Sequence, residues 1–147
     1  MTVPDPPSGD ERLTLLFACI HNAGRSQMAA GFARELGADR VEALSAGSAP
    51  ASGVNPRVVE AMRESRVDLS EETPSKLNDS VVRQADIIVT MGCGDECPVV
   101  PGRRYLDWEI EDPTGLGLDG IRQVRDEIQA RVERLLVEYG IPLARTW

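Results

Sequence analysis

The stretch Leu13 to Gln27, LTLLFACIHNAGRSQ, restricts the fold of this chain more than any other. Six of the seven residues from Leu13 to Cys19 are apolar, too short a run for a lone helix, so it reads as a buried parallel strand. It exits through His21, Asn22, Ala23 and Gly24, small or turn-prone residues that tolerate unusual backbone angles. Met28, Ala29, Phe32, Ala33 and Leu36 then follow helical spacing, and Gly37 stands where that helix should stop. Cys19 is therefore expected at the C-terminal end of a strand, above a helix N-terminus. That is the usual ligand crevice of an open α/β sheet.

The loop Cys19-Ile20-His21-Asn22-Ala23-Gly24-Arg25-Ser26 has the residues of an anion site. Backbone N–H groups curling around a helix N-terminus attract negative charge. Arg25 adds a planar, permanently charged fork suited to a tetrahedral oxyanion. A cysteine at the centre of such a site is favoured as the nucleophilic thiolate, and Ser26 is placed to donate a hydrogen bond to it. The alternative makes Cys19 a small buried hydrophobe and Arg25 a surface charge. The strand before, the helix after and the turn-prone residues between them favour the functional reading.

The rest of the chain continues the alternation. Met1 to Glu11 holds prolines and a glycine without apolar periodicity and reads as a disordered tail, leaving residues 12–147 as one domain. Arg40 to Ser45 reads as a second strand. Asn55-Pro56 is a helix start, with Asn as N-cap and Pro at the first helical position, and that helix should run to about Ser65. A loop over Asp68 to Lys76, a short helix over Asp79 to Gln84, a strand over Ala85 to Met91 and a short strand over Arg104 to Trp108 follow. Ile121, Val124, Ile128, Val132 and Leu135 mark the buried stripe of a last helix, with Glu127 and Arg131 as an i, i+4 pair outside it. This order predicts an α/β fold: a single three-layer domain with a four-stranded parallel sheet and helices on both faces. The loops after the first and third strands should then emerge at the same edge.

That edge would carry a second site, Met91-Gly92-Cys93-Gly94-Asp95-Glu96-Cys97-Pro98. Two cysteines one helical turn apart have Cα atoms about 6 Å apart, within disulfide range. They suit a redox pair. Two unrelated buried thiols, or half a zinc site, are the alternatives. No second cysteine pair exists and His21 is the only histidine, which disfavours zinc; no metal is expected.

Composition sets the remaining bounds. Three cysteines are an odd count, against a fully paired secreted framework; with no signal-peptide pattern and no membrane-length apolar run, a cytoplasmic protein with no membrane partner is expected. A net charge of −8 argues against nucleic acid, so an anionic substrate must be captured by a local positive site. A monomer is expected.

CIHNAGRSQMA resembles the C-x5-R-S loop of low-molecular-weight protein tyrosine phosphatases and of the arsenate reductases built on that fold. Gln27 matches the reductases, where the phosphatases usually have Pro. LSAG (Leu44 to Gly47), GVNP (Gly53 to Pro56), VTMGCGDECP (Val89 to Pro98), WEIEDPTG (Trp108 to Gly115) and VRDEI (Val124 to Ile128) continue the likeness over nearly the whole chain beyond Glu11. It is nearest to the thioredoxin-coupled reductases. The resemblance implies that Cys19 attacks arsenate, with phosphate or sulfate as analogues, and that Asp112 is the general acid. Cys93 and Cys97 then take over the disulfide for an external thioredoxin-type reductant, with no bound cofactor. Asn22 and Ser45 would hold the loop. Residues matching a potassium site in some relatives are Ala30 and Ser75 here, so that ion is not expected; Lys76 is a candidate fixed cation. Thr114 and Gly115 stand where the phosphatases carry tyrosine. A phosphatase acting on phosphate monoesters, and an oxyanion-binding redox sensor without turnover, are the two other readings.

Overall fold

In the computed structural model, which describes residues 12–92 and 101–145, the apolar run Leu13–Cys19 is strand β1, buried along nearly all its length. It pairs in parallel with β2 (Val41–Gly47) on one side and β3 (Ile87–Thr90) on the other, and β3 pairs in parallel with β4 (Arg104–Asp107). The order is β2-β1-β3-β4. The chain leaves β1 toward β2 on one side and later returns to the other, so strand order reverses between β1 and β3. Such a reversal opens a crevice at the carboxyl ends of the two strands.

Helices α1 (Arg25–Gly37), α2 (Pro56–Glu64) and α4 (Leu118–Glu138) share one core with Leu13, Leu15, Phe17 and Cys19. The alternate residues Leu16 and Ala18 point to the other face and pack with Val82 of α3 (Asp79–Gln84) and with Leu77 and Ile88. The three-layer expectation holds, with unequal faces: among the described residues, three helices pack on one side and one short helix on the other.

The local expectations hold closely. Asn55 caps α2 by accepting from Arg57 N at 3.0 Å, with Pro56 at the first helical position. Ile121, Val124, Ile128, Val132 and Leu135 form the buried stripe of α4, and Glu127 accepts from Arg131 at 3.2 Å. Strand ends differ where pairing overrides local composition. β2 runs on to Gly47 because its register with β1 continues to Cys19. β3 is shorter than Ala85 to Met91: Met91 N still donates to Ala18 O at 2.7 Å, but Gly92 turns the chain away at φ +92°. The tail Met1 to Glu11 lies outside the described residues.

Two side-chain clamps fix the helices around the crevice. Arg34 of α1 donates twice to Ala43 O of β2, at 2.9 and 3.2 Å. Glu64 at the end of α2 accepts from Arg122 and Arg125 of α4 at 2.7 Å each, and those bonds push its carboxyl down to about pKa 2. The second clamp holds α2 against α4 and so sets where the α2 N-terminus lies.

Gly47 lies tight against the backbone of the loop after β1. A Cβ there would lie 2.5 Å from Ile20 O and 2.9 Å from Asn22 N, both backbone atoms. Gly47→Ala should therefore cost about 1–3 kcal/mol, as overpacking does. Chemical denaturation measures the loss, and an unchanged midpoint would show that the loop has room to move.

Candidate active site

Four carbonyls of the loop between β1 and α1 are occupied. The chain that follows β2 takes them. Ser48 N donates to Cys19 O, Ala49 N to Ile20 O, Ala51 N to His21 O and Asn55 N to Ala23 O, at 2.8 to 3.1 Å. Occupied carbonyls leave the loop N–H groups as the polar atoms available to a ligand. Gly24, the N-cap of α1, has no side chain to satisfy the first-turn N–H groups, so those also remain for an anion.

Asn22 is the hub beneath the loop. It is fully buried at φ +50°, a left-handed conformation that asparagine accepts better than most residues. Its Oδ1 accepts from Ser75 N at 2.9 Å and from Gln27 Nε2 at 3.2 Å. Its Nδ2 donates to Ser26 Oγ at 2.7 Å, and Ser26 Oγ lies 2.9 Å from Cys19 Sγ. A thiolate can only accept, so with Cys19 ionised the Ser26 proton points at sulfur. Cys19, Ser26, Asn22 and Gln27 are all buried.

Arg25 forms the wall. Its guanidinium, only 7% exposed, donates to Ile110 O at 3.3 Å and lies 3.6 Å from Asp112 Oδ2. Gly92 packs against it so closely that a Cβ there would lie 2.5 Å from Arg25 Nη1. Asp112 is more open, at 44% exposed, and Thr114 N donates to its Oδ1 at 2.9 Å. Burial alone would raise its pKa, but hydrogen bonding from Thr114 and the charges of Arg25 and His21 outweigh that and hold it below the usual carboxylate range. In the free protein Asp112 is thus ionised near neutrality and offsets part of the Arg25 charge.

A small cleft joins these groups, lined by Cys19, His21, Arg25, Asn55, Asp112 and Thr114 among others. Cys19, Arg25, Ser26, Asn22 and Asp112 come together as a cluster. Cys93 and Cys97 lie outside the described residues. Ser45 faces Phe17 within β2, and among the described residues its hydroxyl makes no bond to the loop. The backbone N–H of Ser75 meets Asn22 beneath the loop. Lys76 Nζ donates to Ser48 O, on the segment that takes the loop carbonyls. Among the described residues no group of three histidine, cysteine or carboxylate side chains is arranged for a metal. Sequence reasoning read Asn55 only as a helix cap and left its place in the cleft unseen, because nothing local in GVNP points there.

The depressed Asp112 pKa has a definite sign. A carboxyl with a lowered folded-state pKa contributes stability above its unfolded value, and loses it as pH falls through the folded value. Asp112→Asn keeps an acceptor for Thr114 N but removes the charge. The stability gap between wild type and this variant should be widest near neutrality and close as pH falls below about 4. Thermal midpoints from pH 2 to 7 test this, and a gap that widens in acid would contradict it.

Three comparisons bear on the chain as a whole. It is 39% identical over 142 residues to a putative arsenate reductase of Halobacterium salinarum, covering 90% of this chain and 97% of that protein. It is similar to the thioredoxin-dependent arsenate reductase of Corynebacterium glutamicum, at 42% identity and a TM-score of 0.79; the match covers 90% of this chain and 64% of that one. It also resembles an arsenate reductase solved in a phosphate binding state, at 32% identity and a TM-score of 0.77, over 86% of this chain and 98% of that one. Residues 14–141 match the family described as low molecular weight phosphotyrosine protein phosphatase, and the chain belongs to that family.

Proposed function

We propose that this protein is an arsenate reductase, with Cys19 as nucleophile and Cys93 and Cys97 as an internal disulfide relay to a thioredoxin-type partner. The observation that carries the reading is the Cys19–Ser26–Asn22 chain beside a buried Arg25, at the point where Gly92 leads into Cys93. Similarity to arsenate reductases over most of their length supports it.

Arsenate sits on the loop N–H groups and Arg25. Its negative charge offsets the guanidinium, so Asp112 gains proton affinity as substrate arrives. The Cys19 thiolate attacks arsenic, forming an S–As bond, while an arsenate oxygen leaves with the proton of Asp112 as water. The Cys93 thiolate then attacks Cys19 Sγ. The S–As bond breaks, its electron pair stays on arsenic, and arsenite departs. The two thiols together have lost two electrons and arsenic has gained two. Cys97 attacks Cys93, freeing Cys19 and leaving a Cys93–Cys97 disulfide for the external reductant. Gly92, which precedes Cys93 in the sequence, lies against Arg25.

A phosphatase is the second reading, favoured by the family and by the near identity of phosphate and arsenate in size and charge. It would stop at a phosphocysteine hydrolysed by water and would not need Cys93 or Cys97.

Peptide mapping separates the two. With arsenate, Cys97→Ser should complete one turnover and stop as a Cys19–Cys93 disulfide, while Cys93→Ser should stall earlier at the arsenic adduct on Cys19. Full multiple turnover by Cys97→Ser with thioredoxin would eliminate the three-thiol relay.

Asp112→Asn should slow arsenate turnover by about 10²-fold or more, the size of a lost general acid. An unchanged rate, with chemistry limiting, would leave Asp112 as a turn residue.

A further inference from the structure

Asn55 is more specified than its cap requires. Its backbone N–H donates to Ala23 O at 2.9 Å, its carbonyl accepts from Val59 N at 3.0 Å, and its Oδ1 accepts from Arg57 N at 3.0 Å. An N–H donor can be received only by the amide oxygen, so the orientation of the side chain is decided by this bond. The amide nitrogen Nδ2 is what remains, and among the described residues it has no partner. Asn55 is half-buried and lines the cleft with Cys19, Arg25 and Asp112. Capping alone does not call for this amide, since Ser or Asp caps a helix as well as Asn does. Asp would bring a carboxylate to an anion site, and Ser would be too short to reach across one.

Two further features hold the amide in place. The Asn55 N–H to Ala23 O bond ties the residue to the loop itself, and the Glu64 clamp to Arg122 and Arg125 fixes the far end of the same helix. The donor is therefore presented from a rigid element, on a segment other than the loop and other than the Asp112 turn. Arg25 already shares its guanidinium with Ile110 O and Asp112, so a neutral donor elsewhere on the wall adds binding without adding charge.

We propose that Asn55 is a substrate-binding residue whose side-chain amide donates a hydrogen bond to an oxygen of the tetrahedral oxyanion seated in the Cys19–Arg25 loop. The assignment rests on the oxyanion reading of the site and adds a donor that the C-x5-R-S loop does not contain. A hydrogen bond to a charged oxygen is among the stronger ones, and its loss should be readable in affinity.

Two cap-preserving variants test it. Inorganic phosphate is titrated calorimetrically into reduced wild type, Asn55→Ser and Asn55→Asp, with thermal midpoints taken alongside. Both variants should keep the wild-type midpoint within about 2 °C, because each side chain still caps α2. Phosphate affinity should fall about tenfold in Asn55→Ser, and further in Asn55→Asp, where a carboxylate faces the anion. A purely capping residue gives wild-type affinity in both, and that result overturns the assignment. Should Asn55→Ser lose stability, Asn55→Asp decides alone: wild-type affinity there also overturns it. Wild type that binds no phosphate would refute the oxyanion reading itself, an outcome distinct from tight binding that ignores Asn55.

Discussion

Four backbone hydrogen bonds give the site its polarity. The N–H groups of Ser48, Ala49, Ala51 and Asn55 take the carbonyls of Cys19, Ile20, His21 and Ala23. With these carbonyls occupied, the loop amides remain free to meet an anion, and the α1 N-terminus adds its own unsatisfied donors. Gly47 lets the two segments approach, because any Cβ there would strike Ile20 O. Asn22 then locks the loop from beneath, through Ser26, Gln27 and the backbone of Ser75. Each bond alone is modest, but a buried polar group left unpaired costs about 1–3 kcal/mol, so the set holds or fails together.

The electrostatics of the site run against those of the molecule. A chain of net charge −8 repels an anion at long range, so the oxyanion proposed above would depend on short-range donors and the buried Arg25 guanidinium. Before substrate arrives, the Asp112 carboxylate offsets part of that charge at 3.6 Å. An oxyanion takes over that role and leaves the carboxyl better disposed to hold a proton. In the reaction proposed above, the same Asp112, once displaced from Arg25, would supply the acid where oxygen leaves.

The sheet order brings two distant stretches to one edge. β1 and β3 are neighbours although helices and a whole strand separate them in the chain, and both end at the crevice. Cys19 closes β1, while Gly92, just past β3, lies against Arg25 and leads directly to Cys93. The Glu64 clamp adds the third wall by fixing α2, whose cap residue reaches the same cleft.

Local signals in the sequence determined the elements and the chemistry of one loop. Alternation between a short apolar run and a helical stripe marked β1 and α1, Asn55-Pro56 marked the start of α2, and the 3- and 4-residue spacing from Ile121 to Leu135 marked α4. Cys19, Arg25 and Ser26 were legible because all three sit within one strand–loop–helix unit. What the sequence could not reveal is carried by contacts across the chain. The Ser75 N–H that meets Asn22 beneath the loop comes from 53 positions away in the chain. The place of Asn55 in the cleft, the pairing of Arg25 with Asp112 and the closeness of Gly92 to Arg25 likewise depend on how the sheet is ordered. The physical reason is one of range. Hydrophobic period and capping chemistry act over a few residues and can be read in one dimension, whereas the hydrogen bonds and close approaches that finish this site join segments with no common period, and exist only once packing has brought them together.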